Sequence, residues 1–167
     1  LGARLYGLNT VDECLKDDTI NTFLNRCIFD EIIPTLGSNK DDINFGNDVI
    51  DRFSNPFIKH QLLSIALNSV SKFDVRVLPT IIEYKEKYKV YPKALSFSLA
   101  ALIKFYKGDE ANDSESVMEF MKKSTVKEIL DSDLWHANIS DMYDIVNNYY
   151  DMISNDGIRA AFDKLLK

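Results

Sequence analysis

The stretch RFSNPFIKHQLLSIALNSVSKFDVR, residues 52–76, combines a strong helix signal with regularly spaced polar side chains. Asn55 can cap a helix, and Pro56 suits the first helical position because its missing N–H would be unpaired there. Since residues 57–73 contain neither Gly nor Pro, they predict one helix of about four to five turns. Most of its side chains are apolar, which predicts that this helix is largely buried.

Four polar side chains recur along this predicted helix at intervals of four residues: His60, Ser64, Asn68 and Lys72. Residues four apart share one face of a helix, so the four predict a polar stripe. The lysine is a cation, the histidine titrates near neutrality, and serine and asparagine side chains bind hydroxyl groups. The stripe therefore suits a polyhydroxylated acid, and in a structure it should line an open concave surface.

Two arginines flank the stretch, and either guanidinium could bind a carboxylate with two parallel hydrogen bonds: Arg52 and Arg76. The competing interpretation is an ordinary polar helix face, with Arg52 paired to Asp48 or Asp51. His136 is interpreted as a loop residue without a role in a site.

The rest of the sequence predicts a single all-α domain. No segment alternates between apolar and polar residues as a strand does. Helical spacing or helix-start signals predict one helix that starts at Thr10 and others at 19–36, 41–53, 75–88, 92–106, 114–121, 125–130, 139–153 and 158–166. The predicted N-caps are Thr10, Ser114, Thr125 and Ser140, with a second start at Asp17 and Asp18.

Three details of these helices are specific enough to test. Pro34 should bend or end the helix at 19–36, and residues 72–74 should separate the central helix from the next one. In the helix at 41–53, the apolar side chains should face inward: Ile43, Val49, Ile50 and Phe53. The helix at 92–106 is apolar on nearly all sides and should lie in the core.

The charges are unevenly distributed along a chain with a net charge of −6. Residues 52–107 contain ten basic and three acidic side chains, whereas 1–51 contain four and ten, and 108–167 contain six and thirteen. The overall acidity argues against nucleic-acid binding, while the positive middle segment suits a small anion. Four lysines in that segment are interpreted as solvated: Lys85, Lys87, Lys89 and Lys93.

Other features exclude several classes of protein. No apolar run is long enough to cross a membrane, and Cys14 and Cys27 lack metal-ligand spacing and are interpreted as reduced core thiols of a cytosolic protein. There is no GxGxxG, no GxxxxGK[ST] and no HExxH, and two histidines are too few for a usual zinc site. We therefore expect no metal and no dinucleotide loop in this chain.

Several stretches resemble the C-terminal domain of the polyol-specific long-chain, or mannitol, dehydrogenases. The matching stretches are LYGLNTVDECLKD at 5–17, EIIPTL at 31–36, RFSNP at 52–56, SKF at 71–73 with Arg76 and Pro79, and DLW at 133–135. The longer segment NPFIKHQLLSIALNSVSKFDVRVLPTIIEY, residues 55–84, is most similar to the tagaturonate reductase (altronate oxidoreductase) branch of this family. The resemblance covers nearly the whole chain.

This resemblance implies a helical substrate domain, like the C-terminal domain of 6-phosphogluconate dehydrogenase, in a cytoplasmic enzyme. The family uses NAD and no metal, and its N-terminal Rossmann domain and catalytic Lys, Asn and His lie upstream of where Leu1 begins. The start LGARLYGLN lacks Met. We therefore expect residues 1–167 to be one substrate-binding domain that is inactive without its own NAD-binding domain.

The resemblance also implies which side chains contact the keto-uronate or polyol substrate. A substrate-contact lysine of the family matches Lys72, but a family arginine eight residues earlier falls on Ser64. Another cation would then have to bind a sugar carboxylate, and the candidates are Lys59, His60 and Arg76. The complete set of predicted substrate-binding residues is Lys72, Asn68, His60, Ser64, Lys59 and Arg76.

Other functions fit the same sequence features. A fructuronate reductase, a mannitol 2-dehydrogenase or a mannitol-1-phosphate 5-dehydrogenase would carry a similar domain. A non-catalytic helical interaction module is the alternative from another class.

Overall fold

The computed structural model describes residues 1–54 and 60–167, and these residues confirm the predicted all-α fold. The α-helices are α1 (Gly2–Tyr6), α2 (Val11–Lys16), α3 (Asp18–Asn25), α4 (Ile33–Leu36), α5 (Lys40–Phe53), α6 (Leu62–Ile65), α7 (Ser69–Arg76), α8 (Leu78–Tyr88), α9 (Lys93–Tyr106), α10 (Glu115–Lys123), α11 (Val126–Leu130), α12 (Tyr143–Asp156) and α13 (Ile158–Leu166). A π-helix (Arg26–Ile32) joins α3 to α4, and a 3₁₀ turn (Ser140–Met142) precedes α12.

Helix α9 lies at the centre of the fold because its sequence, KALSFSLAALIKFY, offers an apolar side chain on nearly every face. Helices α1, α7, α10 and α12 and the π-helix pack against it. Phe97 is fully buried in α9 and contacts an aromatic cluster from three other helices: Phe23, Tyr149 and Phe162. The prediction of a core helix at 92–106 is confirmed.

The predicted helix starts are confirmed at four of five positions. Thr10 and Thr125 each form a capping box, and the side chains of Asp17 and Ser114 accept backbone N–H bonds at the starts of α3 and α10. The prediction for Ser140 is wrong, because a 3₁₀ turn begins there and its first turn has no side-chain cap.

The capping box at Thr125 provides a stability test. Thr125→Ala should lower the free energy of unfolding by about 1 kcal/mol, because the backbone N–H of Glu128 loses its acceptor. Thr125→Ser keeps the hydroxyl and should stay within about 0.5 kcal/mol of the wild type. Urea unfolding of the three proteins measures both changes, and equal losses for Ala and Ser would contradict a capping role.

The segment predicted as one helix at 19–36 is interrupted by a π-helix. Pro34 has no N–H to donate to the carbonyl of Asp30, and its ring would clash with that carbonyl in an α-helix. The wider π turns end immediately before α4, which contains Pro34 in its first turn. They also bring the carboxylate of Glu31 to the start of α9, where it accepts the N–H groups of Ala94 (2.7 Å) and Leu95 (2.8 Å).

The prediction of a single helix at 57–73 is wrong over the residues that the structure describes. Only α6 and α7 are helical in this stretch, and Asn68 between them adopts a left-handed conformation with φ of 52°. Backbone hydrogen bonds from distant segments replace the helical ones: Val11 N–H donates to His60 O (3.0 Å), and Leu62 N–H donates to Asn9 O (2.8 Å). The predicted cap and first helical position, 55–56, lie outside the described residues, as does Lys59.

Two further expectations for this region are wrong. The break predicted at 72–74 lies instead at Val77, since α7 continues to Arg76. The prediction of a largely buried helix also fails, because the side chains of α6 and the turn after it stay 40–47% exposed, namely Leu63, Ile65 and Leu67.

Helix α5 lies on the surface rather than facing the core with four apolar residues. Val49 and Ile50 are half-buried, but Ile43 and Phe53 are exposed. The closest approach to the core is Gly46, which is buried against the side chains of the π-helix. The prediction of inward-facing Ile43 and Phe53 is therefore wrong.

The two thiols are buried and unpaired, as predicted. Burial raises the pKa of Cys14 and, more strongly, that of Cys27. Within the described ranges, no helix has both the length and the apolar character needed to cross a membrane.

Candidate functional site

The four residues of the predicted stripe lie on different backbone segments instead of one helix face. The backbone carbonyl of His60 accepts the N–H of Val11, and Ser64 belongs to α6. Asn68 forms the left-handed turn, and Lys72 lies one turn into α7. Ser64 and Asn68 are exposed, while His60 and Lys72 are half-buried. We call these four residues the 60–72 surface. Whether they bind a substrate stays a prediction.

Lys72 connects the two helices of this surface. Its Nζ donates to the carbonyl oxygen of Ile65 (3.0 Å), at the C-terminal end of α6. A cation is favourable there because the last carbonyl groups of a helix are unpaired and partly negative. One of the three ammonium donors is used in this bond, so two remain for a ligand.

Arg76 lies one turn after Lys72 in α7, and the two cations therefore share a helix face. Within the part of the chain that the structure describes, neither forms an ion pair with a carboxylate. Arg76 is exposed. Two cations without a protein counter-ion favour an anionic ligand.

The acidic residue between them does not neutralise this pair. Asp74 is buried and binds His136 twice: it accepts the backbone N–H of His136 (2.9 Å) and contacts the ring Nδ1. The loop prediction for His136 is confirmed in position, but the ring has a partner that the sequence did not reveal. Asp74 thus fixes the loop before the 3₁₀ turn and faces away from Lys72 and Arg76.

The pairing suggested for Arg52 is not observed. Its Nε donates to the backbone carbonyl of Asp48 (3.2 Å), and its guanidinium lies 5.9 Å from the ring centre of Phe45. Among the described residues it forms no ion pair with Asp48 or Asp51, so that part of the competing interpretation is wrong.

The N-terminal segment and the loop at 107–114 border the 60–72 surface. Arg4 binds the carboxylate of Glu110, with Nε 2.8 Å from Oε2, and also contacts Asn9. Asn9 in turn accepts the backbone N–H of Leu62. The carbonyl of Asn112 accepts the N–H of Asn68 (3.1 Å). These bonds place the start of the chain beside the residues predicted to bind substrate.

The sequence did not predict a role for Tyr106 beyond the core. Its hydroxyl accepts the backbone N–H groups of Ser69 (2.9 Å) and Val70 (3.3 Å) and donates to Asp113 (2.7 Å). Burial, together with the hydrogen bond to Asp113, raises the pKa of this hydroxyl. No local pattern marks this contact, since Tyr106 and Ser69 are far apart in the sequence.

Apolar side chains stand exposed around the same surface. Leu63, Ile65 and Leu67 are joined by Val75 on α7, which is 59% exposed. Of these four residues, Ile65 also lines a cavity of about 400 Å³, together with Leu1, Leu62 and others. Larger exposed apolar patches are typical of protein or membrane interaction sites and of ligand-binding grooves.

Residues 1–54 and 60–167 contain no group of three His, Cys, Asp or Glu side chains that could hold a metal ion.

Comparisons with known proteins show what this domain is similar to. The family model for the mannitol dehydrogenase C-terminal domain matches residues 1–165. Altronate oxidoreductase from Pectobacterium atrosepticum is 42% identical over 119 residues, which are 71% of this chain and 24% of that protein. Altronate oxidoreductase from Cronobacter sakazakii is 48% identical over 108 residues, which are 64% of this chain and 22% of that protein.

The chain thus spans about a quarter of the length of these relatives. Among solved structures, a D-sorbitol dehydrogenase in substrate-free form superposes with a TM-score of 0.80 at 20% identity, covering 96% of this chain and 36% of that one. At this identity the likeness shows the fold alone. The match of the family model over residues 1–165 shows that the chain belongs to the family of mannitol dehydrogenase C-terminal domains.

Proposed function

We propose that this chain is the substrate-binding domain of an NAD-dependent tagaturonate reductase (altronate oxidoreductase). The observation that carries the proposal is the identity of 42–48% to altronate oxidoreductases over most of the chain. The cations of α7 support it, because a keto-uronate carries a carboxylate that Lys72 and Arg76 can bind. The cytoplasm is the compartment that we expect for such an enzyme.

NAD would supply the hydride that reduces the carbonyl carbon of the keto-uronate. The described residues contain no strand from which a strand–turn–helix phosphate loop could be built. We therefore assign NAD binding, together with the catalytic Lys, Asn and His of the family, to a domain that precedes residue 1. No residue of this chain is assigned a proton-transfer role, and no metal is required.

The role of this domain is to orient the substrate. Lys72 and Arg76 bind the carboxylate, with Lys59 and His60 as further candidates, while the exposed Ser64 and Asn68 bind hydroxyl groups. Holding the sugar in this way fixes the distance and direction between its carbonyl carbon and the hydride.

The preceding domain is also the partner that we assign to the exposed apolar side chains. Leu1 lines the same cavity as Leu62 and Ile65, so a preceding segment would enter beside that patch. Docking there would cover Ile65 and Leu67 and would enclose the 60–72 surface between two domains.

Assays of the full-length protein with NADH and a panel of keto sugars test this function. We expect turnover with tagaturonate above that with fructuronate, fructose or fructose 6-phosphate, and none with residues 1–167 alone. A preference for fructuronate, fructose or fructose 6-phosphate would support the corresponding reductase or mannitol dehydrogenase instead. A full-length protein that oxidises NADH with none of these sugars would support the interaction module.

A further inference from the structure

The start of α7 lacks the usual cap. The residue before it, Asn68, is in the left-handed conformation and its side chain makes no capping bond. The first N–H groups of a helix have no partner within the helix and need one elsewhere. Here Ser69 is buried and so is Val70, so unpaired N–H groups would be costly at this position.

The hydroxyl of Tyr106 supplies the missing acceptor. Tyr106 lies in α9, is fully buried, and reaches α7 from the core side. One oxygen atom accepts two successive N–H groups, those of Ser69 and Val70. The Tyr106 hydroxyl itself donates a hydrogen bond to Asp113 Oδ2. The direction of its O–H bond is therefore fixed, and its lone pairs face the helix.

The loop at 107–114 holds this arrangement from the other side. Asp113 Oδ1 accepts the N–H of Ser114 (2.8 Å), and the carbonyl of Asn112 accepts the N–H of Asn68. Glu110 in the same loop is paired with Arg4. The position of Asn68 and the direction of α7 are therefore set by contacts to α9 and to this loop.

We propose that Tyr106 and Asp113 are positioning residues for substrate binding, acting as a cap on α7 that fixes Asn68 and Lys72. This inference rests on the proposed function of the 60–72 surface. Neither residue needs to touch the substrate. Asn68 precedes the capped N–H groups directly, and Lys72 follows one turn later, so both move if the start of α7 moves.

Three variants of the full-length enzyme test the pair: Tyr106→Phe, Asp113→Ala and the double variant. Tyr106→Phe should raise the KM for tagaturonate about fivefold, the factor that corresponds to one net hydrogen bond, while the KM for NADH stays within about twofold. Asp113→Ala should cause a smaller increase. The double variant should equal Tyr106→Phe, because Asp113 acts through the hydroxyl that Phe lacks.

Tyr149→Phe is the matched control, since Tyr149 is also a buried tyrosine beside α9 but its ring contacts Phe97 rather than α7. It should leave both KM values unchanged. Amide hydrogen exchange provides a second measurement: the start of α7 should exchange faster in Tyr106→Phe and not in Tyr149→Phe.

The outcomes separate the two proposals. Faster exchange with an unchanged KM for tagaturonate would refute the positioning role alone, as would additive effects of the two single variants. Equal increases in the KM for tagaturonate and the KM for NADH would also refute the positioning role, because they would indicate general destabilisation. A wild-type enzyme that reduces no keto-uronate would refute the proposed function and the positioning role with it.

Discussion

Replacing Lys72 by alanine in the full-length enzyme should lower kcat/KM for tagaturonate at least tenfold. A hydrogen bond to a charged group is worth about 1.5–3 kcal/mol, which corresponds to a factor of about ten to a hundred or more in rate. The ammonium lies in the part of the chain richest in basic residues and has no carboxylate partner among the described residues. Steady-state kinetics with NADH measures the change, and a loss of less than about threefold would count against the role.

Two controls separate the charge of Lys72 from its packing. Lys72→Met keeps most of the aliphatic stem and should lose nearly as much activity as Lys72→Ala. Lys164→Ala removes a lysine of α13 that is paired with Asp156 at the end of α12 and should leave kcat/KM unchanged. Lys72 also donates to Ile65 O, so unfolding of each variant should be measured; we expect a loss of no more than about 1 kcal/mol for this part-exposed bond.

Replacing Glu31 by glutamine should lower the free energy of unfolding by about 2 kcal/mol, because one buried N–H at the start of α9 loses its acceptor. Both carboxylate oxygens are used, one for Ala94 and one for Leu95. The glutamine NH₂ group would face an N–H donor in place of one oxygen. Urea unfolding measures the change, with Glu83→Gln as an exposed control within about 0.5 kcal/mol.

The carboxyl group of Glu31 also makes the free energy of unfolding depend on pH. Burial raises the pKa of Glu31 above its ordinary value of 4.5, although the N–H groups of Ala94 and Leu95 oppose the rise. A raised folded-state pKa means that the folded protein holds the proton more tightly than the unfolded chain. This stabilising contribution is complete below pH 4.5 and is lost as the pH rises through the folded pKa.

The stability difference between wild type and Glu31→Gln should therefore decrease as the pH rises from about 4 towards 8. Subtracting the variant removes the contributions of the other acidic groups. A difference that increases over this window would mean that the two N–H bonds lower the pKa by more than burial raises it.

The expectations from the sequence were confirmed where short-range chemistry decides the outcome. Thr10 and Thr125 cap their helices through contacts three residues away. Helix α9 is central because its apolar residues leave no polar face. At Pro34 the sequence predicted a disturbance of the helix but not its form, since a bend and a π-helix relieve the same clash.

The 60–72 surface shows where such reasoning ends. The residues at 57–73 have helical spacing and no helix-breaking residue, yet a turn forms at Asn68. The energy that favours the turn comes from Asn9, Tyr106 and Asn112, none of which is close in sequence. The predicted site residues could be chosen from the sequence, but their distribution over several backbone segments could not.

The amino-acid sequence by itself determined the helical class, most helix ends and the core helix, because caps, proline geometry and apolar periodicity act over a few residues. Only the tertiary structure decided how Lys72, Asn68 and His60 are arranged. It also decided that the carboxylate of Asp74 is bound by His136 and that Tyr106 caps α7. Those features depend on hydrogen bonds between segments that are far apart in the sequence, such as the one from the backbone N–H of His136 to Asp74, 62 residues away. Long-range partners of this kind exist only after the helices have packed.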